Sequence, residues 1–125
     1  MPTPDELRTA VDRYVTAING RIPTDIAALF TEDALQADPA SSPPNIGRDA
    51  IVEFFTNGIA ASQGWLFEAE RVHTCGTTAA VDFRIAVDLG GGSMVISGIE
   101  VFESAEDGRF TSAHAYWDDA DVTFS

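Results

Sequence analysis

The chain has 125 residues, 45% of them hydrophobic and 10% aromatic, with seven basic against twenty acidic side chains and a net charge of −13. That length and composition fit one globular domain over residues 1–125 with a core of its own. The charge disfavours nucleic acid and anionic membrane surfaces as partners, since both need lysine and arginine to meet phosphates.

Thr3-Pro4-Asp5-Glu6 predicts a helix start, with Thr3 as N-cap, Pro4 in the first turn and Glu6 closing a capping box. Leu7, Val11, Tyr14, Val15 and Ile18 continue it at helical spacing, and Asn19-Gly20 ends it. A short second helix is expected over Thr24 to Phe30, then a short strand over Ala34 to Asp38. Pro39, Pro43 and Pro44 mark a loop. Ile51, Phe54, Phe55 and Ile59 predict a third helix over Arg48 to Ala61. From there the apolar period becomes two. Strands are expected over Trp65 to Thr74, Ala79 to Leu89, Ser93 to Glu103 and Phe110 to Trp117, with turns at Gly90-Gly91-Gly92 and Asp107-Gly108. Helices first and strands afterwards argue for an α+β fold, the helices packed on the concave face of a curved antiparallel or mixed sheet that encloses an apolar pocket. No apolar stretch approaches membrane-spanning length, and Met1 to Glu6 has neither the basic nor the apolar part of a signal peptide. A soluble, cytoplasmic chain is therefore expected.

Glu100 is the most informative residue. Alternate strand residues share a face, so it points with Met94, Ile96 and Phe102 into an apolar layer. A carboxylate placed there must be paired, solvated by a pocket, or kept protonated. A salt bridge to Arg84 or Arg71 is the bland alternative, but Arg84 alternates with Phe83 and Ile85 and so belongs on the solvent face. Tyr14 on the apolar stripe of the first helix reads, alone, as a core tyrosine. Asp38 before Pro39 reads as turn chemistry, and the apolar alternates Leu35 and Ala37 put it on the opposite face from them. His73 and His114 have no third ligand at metal spacing, and a single cysteine, Cys75, allows neither an intrachain disulfide nor a thiolate metal site. No metal or other cofactor is expected. Gly90-Gly91-Gly92 is a turn and not a phosphate cradle, because no helix follows it. The acidic run Asp118-Asp119-Ala120-Asp121 reads as a solvated edge.

Taken together, Arg13-Tyr14-Val15, Ala28-Leu29-Phe30-Thr31-Glu32-Asp33-Ala34, Ala37-Asp38-Pro39, Ile51-Val52-Glu53-Phe54-Phe55 and Ala115-Tyr116-Trp117 resemble the steroid Δ5-3-ketoisomerase family of the NTF2-like, SnoaL-like superfamily. The resemblance runs nearly the whole chain. It implies a cone-shaped α+β fold with a deep apolar pocket, usually as a homodimer, and a small hydrophobic ligand, a steroid. It also implies roles: Asp38 as general base, with Tyr14 and a protonated Glu100 as donors to an oxyanion. Ketosteroid isomerase is itself a standard example of a carboxylic acid kept neutral so that it can donate a hydrogen bond. Phe30, Phe54, Phe55, Phe83 and Trp117 are the expected pocket walls, Trp117 matching an aromatic the family places near the base. Two positions depart from the pattern. Glu100 stands where the family commonly has Asp, and Phe30 and Phe55 stand where some members have tyrosines that support the catalytic one. The implied activity is isomerisation of a 3-oxo-Δ5-steroid to the conjugated Δ4-3-ketone. The alternatives are a non-catalytic binding domain for hydrophobic ligands, or another small enzyme on this scaffold such as a polyketide cyclase or an epoxide hydrolase. The last of these needs an Asp–Arg–Asp arrangement, for which only Arg84 and Arg71 are near enough in sequence.

Overall fold

A computed structural model describes residues 1–125. Helix α1 (Pro4–Gly20) begins as its sequence dictates: Thr3 Oγ1 accepts from the Glu6 amide at 3.1 Å, and Glu6 Oε1 accepts from the Thr3 amide at 3.0 Å. These two bonds satisfy amides that the first turn leaves without partners. The helix buries Leu7, Val11, Tyr14 and Ile18, one stripe at the 3.6-residue period, and stops at Arg21 in the left-handed conformation. Helix α2 (Pro23–Ala27) is short, and α3 (Arg48–Ala60) turns Ile51 and Phe55 inward. No helix is long and apolar enough to cross a membrane.

The strands are β1 (Phe30–Ala37), β2 (Asn45–Ile46), β3 (Gly64–Cys75), β4 (Thr78–Asp88), β5 (Ser93–Ser104), β6 (Phe110–Tyr116) and β7 (Val122–Phe124), with a 3₁₀ turn at Asp119–Asp121. They form one curled mixed sheet in the order β2-β1-β6-β5-β4-β3, with β7 on the N-terminal part of β5. β1 runs parallel to β6 and every other pairing is antiparallel. Helix α1 lies across β3 and β4, while α3 packs on β1, β2 and α2. Helices thus cover the concave face, as the α+β reading expected.

Two sequence expectations are corrected around β1. The second helix ends at Ala27, short of Phe30, and the strand starts at Phe30, four residues earlier than predicted. Phe30 is fully buried opposite Phe110, and its carbonyl accepts from Arg48 Nε at 2.9 Å and Nη2 at 2.7 Å, which holds it extended. From Ala34 to Gln36 the inward face is also the other one, although Ala37 is itself 1% exposed. Ala34 and Gln36 are 1% exposed whereas Leu35 is 38% exposed, so Asp38 continues the buried register of Ala34 and Gln36. Gln36 accounts for the misreading. Its polar side chain is buried because Asn45 Nδ2 donates to its Oε1 at 2.7 Å, and a satisfied polar group carries no hydrophobic signal.

Candidate functional site

Tyr14 stands midway along α1, with its ring edge-on to Phe102 (4.8 Å between centroids), Phe67 (5.9 Å), Phe110 (6.2 Å) and Phe30 (6.4 Å). This aromatic box leaves only the hydroxyl reaching a polar group: Tyr14 Oη donates to Glu100 Oε2 at 3.3 Å. Glu100 lies in β5 between Val81 of β4 and Ala115 of β6, both almost wholly buried, and is itself 3% exposed. Neither arginine reaches it. Arg84 pairs with Glu68 at 3.6 Å and Arg71 with Asp82 at 3.1 Å, both on exposed ground. With no cation beside it, burial first and the negative charge of Asp38 second push the Glu100 carboxyl up to about 8, and the Tyr14 hydrogen bond offsets only part of this. A carboxyl with that value carries its proton at neutral pH.

Asp38, half-buried just past the end of β1, accepts from Trp117 Nε1 at 2.6 Å. Burial raises its carboxyl above the usual aspartate value, and the indole hydrogen bond works against that rise. Burial also raises the Tyr14 hydroxyl well above the ordinary phenol, reinforced by the two carboxyls facing it. Tyr14, Asp38 and Glu100 therefore converge, with their protons held to different degrees. They share one cavity of about 330 Å³, at the lower end of the range for small-molecule sites.

Phe54, Phe55, Phe83 and Trp117 line that cavity as the sequence suggested. Phe30 does not. It is fully buried behind the Tyr14 ring and shapes the tyrosine rather than the pocket. The sequence reading missed Trp65, Phe67, Ile85, Val87, Leu89, Met94, Ile96 and Ser62, which with Ile18, Gly58 and Ala61 complete the lining. Ile85 and Val87 alternate with Phe83, and Met94 and Ile96 with Glu100, so strand parity carries the signal for four of them. Trp65 reveals itself only in three dimensions, where its Nε1 donates to the Ile18 carbonyl at 2.7 Å and ties β3 to α1. A second, polar groove of about 450 Å³ lies between the start of α1 and Asp107–Phe110. It mixes Arg13 and Arg109 with Asp5, Glu6 and Asp107, and none of the three converging groups reaches it.

A curled, unclosed mixed sheet with helices on its concave face, bent around an apolar cavity that carries two carboxyls, defines a cone-shaped α+β domain of the NTF2-like type. The chain belongs to the SnoaL-like domain family, whose model matches residues 11–113. It is 36% identical over 117 residues to the steroid Delta-isomerase of Nocardioides simplex, covering 94% of each chain. Among solved structures, the epoxide hydrolase/cyclase-like enzyme SalBIII of pyran ring formation in polyether salinomycin superposes with a TM-score of 0.91 at 22% identity, over the whole of both chains. A Mycobacterium tuberculosis protein gives 0.89 at 19%, again over both whole chains. A computationally designed 17-OHP binder gives 0.86 at 17%, over 96% of this chain and 98% of its own. At those identities the structures establish the fold alone. The family resemblance and the fold expected from the sequence are thereby borne out.

Proposed function

We propose that this protein is an isomerase that moves the double bond of a 3-oxo-Δ5-steroid into conjugation, giving the Δ4-3-ketone. The observation that carries the reading is the convergence of Tyr14, Asp38 and Glu100 at one end of an apolar cavity, with Glu100 held neutral. The 36% identity to a steroid Delta-isomerase along 94% of the chain supports it.

The carbon between the ketone and the double bond carries acidic hydrogens. Asp38, ionised, takes one of them, and the electron pair delocalises onto the carbonyl oxygen as a dienolate. Tyr14 and protonated Glu100 donate hydrogen bonds to that oxygen, so charge develops where donors are already placed, in a cavity lined mainly by apolar side chains. Asp38 then returns its proton to the far carbon of the dienolate on the same face. Atoms and charge balance with no co-reactant, because product and substrate are isomers. The division of labour follows from burial. Each carboxyl accepts one hydrogen bond that favours its ionised form, but Glu100 is 3% exposed and is raised to about 8, whereas Asp38 is only half-buried and is raised less. Tyr14 lies at the long distance of 3.3 Å from Glu100, and a substrate oxygen would draw both donors to itself.

The test is ultraviolet detection of the conjugated enone from a 5-ene-3-oxosteroid. Wild-type protein should form it, and Asp38→Asn should form it about 10²- to 10⁴-fold more slowly, the range for loss of a general base. No product, or equal rates, would refute the reading. Tight binding of a phenolic dienolate mimic without turnover would instead favour a binding domain. An epoxide-hydrolase reading gains nothing from the geometry, since Arg84 and Arg71 face away from the cavity and are paired elsewhere.

A further inference from the structure

The cavity has a second polar end that the proposed reaction does not use. Beyond Tyr14, Asp38 and Glu100, the lining side chains with polar atoms are Trp65, Trp117 and Ser62. Both indole N–H groups are engaged, by the Ile18 carbonyl at 2.7 Å and by Asp38 at 2.6 Å, and an indole accepts nothing. Ser62 differs. Its Oγ accepts from Arg21 Nη1 at 3.1 Å, and its one proton is shared between the carbonyls of Gly58 at 2.9 Å and Ile59 at 3.3 Å, at the C-terminus of α3. A hydroxyl has two acceptor sites, so one remains open.

Arg21 fixes this arrangement. It has no carboxylate partner despite the acidity of the chain. Its Nη2 instead donates to the carbonyls of Ile59 at 3.2 Å and Ser62 at 3.3 Å, and its guanidinium lies 4.5 Å from the centroid of Trp65. Ser62 is thus held rigidly by a cation that is itself clamped to two elements. The position is remote from the chemistry. Tyr14 and Arg21 are separated by roughly 10 Å of helix rise. Gln63, next to Ser62, donates its amide to the Asp88 carbonyl at 2.7 Å, Asp88 pairs with Ser93, and Met94 beside it stands roughly 20 Å along β5 from Glu100.

We propose that Ser62, backed by Arg21, is a specificity contact. It accepts a hydrogen bond from a hydroxyl at the end of the ligand remote from the reacting carbonyl. This rests on the isomerase reading for what lies at the other end, a ketone or its phenolic mimic against Tyr14 and Glu100. A hydroxyl is selected because the open position on Ser62 is an acceptor. A distal ketone brings no proton and would have to take the one that Ser62 gives to α3. A bare hydrocarbon would cover the open acceptor and leave it unpaired.

The experiment is a fluorescence titration with two phenolic steroids, estradiol and its 17-deoxy counterpart, read as the ratio of their dissociation constants within each variant. Wild-type protein should bind estradiol about fivefold more tightly, the size of one neutral hydrogen bond. Ser62→Ala and Ser62→Cys should bring the ratio to about one, and Ser62→Thr, which keeps a hydroxyl, should preserve the preference. The cysteine variant keeps the shape of the side chain with a poor acceptor, and circular dichroism establishes that each variant is folded. A wild-type ratio of one, a preference that survives in both Ser62→Ala and Ser62→Cys, or binding of neither phenol would overturn the contact. The measurement involves no turnover. An inactive protein with the preference would sink the isomerase reading and keep the subsite, while an active one without it would do the reverse.

Discussion

Glu100 joins the proposed chemistry of this chain to its stability through one proton. Its carboxyl is raised from 4.5 to about 8 chiefly by burial, so the folded protein holds a proton that the unfolded chain has already lost over that interval. For the proposed isomerisation, the expected consequence is an alkaline limb. As pH rises past about 8, Glu100 ionises, a donor disappears, and a negative charge faces the developing oxyanion. On the acid side that activity should fall as Asp38, the proposed base, takes up a proton, at a pH above the usual aspartate value because burial raises it. The profile of kcat/KM for a 5-ene-3-oxosteroid should be bell-shaped, and Glu100→Gln should abolish its alkaline limb near 8 while lowering the plateau, since an amide is a weaker donor than a neutral acid. An alkaline limb that persists unchanged in Glu100→Gln would assign it to another group. Glutamate, where the resemblance leads one to expect aspartate, reaches Tyr14 from this strand. The longer side chain still brings Oε2 to 3.3 Å from Tyr14 Oη, from a strand position flanked by the small residue Ala115.

At the scale of elements, the pocket depends on how closely β5 and β6 approach where Trp117 leaves the sheet. Gly98 shares the inward face of β5 with Ile96 and Glu100 and stands opposite Phe83. A Cβ at that position would collide with the Tyr116 carbonyl oxygen and stand 3.2 Å from both Phe83 Cζ and Trp117 Cβ. The carbonyl is backbone and cannot swing aside, so Gly98→Ala must displace the segment that delivers Trp117 to Asp38. We expect a loss of about 1–3 kcal/mol in urea unfolding, together with a shift in tryptophan emission and lower activity. A variant matching wild type in stability and emission would show that the strands yield more easily than the geometry allows. None of this was legible in the sequence, where Gly98 is one small residue in an apolar run. What was legible follows a rule. Capping residues, helical stripes and strand alternation report the burial of apolar atoms, and they located α1, α3, the long strands and the inward direction of Glu100. They failed at β1, where the buried residue is Gln36 and the exposed one is Leu35, because hydrogen bonding and not hydrophobicity decides that face. The pocket wall was half legible for the same reason. Phe30 and Phe83 are equally apolar in sequence, and only the Tyr14 ring in front of Phe30 separates core from lining.

For the whole molecule, pH and salt should act on stability through separable causes. The formal charge of −13 counts Glu100 as ionised, so with that residue protonated the folded chain carries −12 at neutral pH. Only four ion pairs form, and all involve side chains at least 33% exposed, which makes them weak compensation for the repulsion among the rest. Repulsion spread over a surface is screened once the Debye length falls from about 30 Å at 0.01 M salt to below about 8 Å above 0.15 M. Sodium chloride added over that range at pH 8 should therefore raise the thermal midpoint of wild type and of Glu100→Gln by similar amounts, because one buried charge scarcely alters the surface field. The pH response separates the two proteins. Below 4.5 both the folded and the unfolded chain hold the Glu100 proton; between 4.5 and about 8 only the folded chain does. The unfolded state therefore binds fewer protons, and stability falls with rising pH by roughly 1.4 kcal/mol per unit across that window, the loss being complete above the folded value. Glu100→Gln has no such proton to lose. Urea midpoints measured from pH 5 to 9 at fixed ionic strength should decline for wild type and level off above about 8, with a markedly shallower decline for the variant. Parallel curves for the two proteins would mean that the carboxyl is ionised in the folded state at neutral pH, and the neutral donor required by the proposed chemistry would be lost with it.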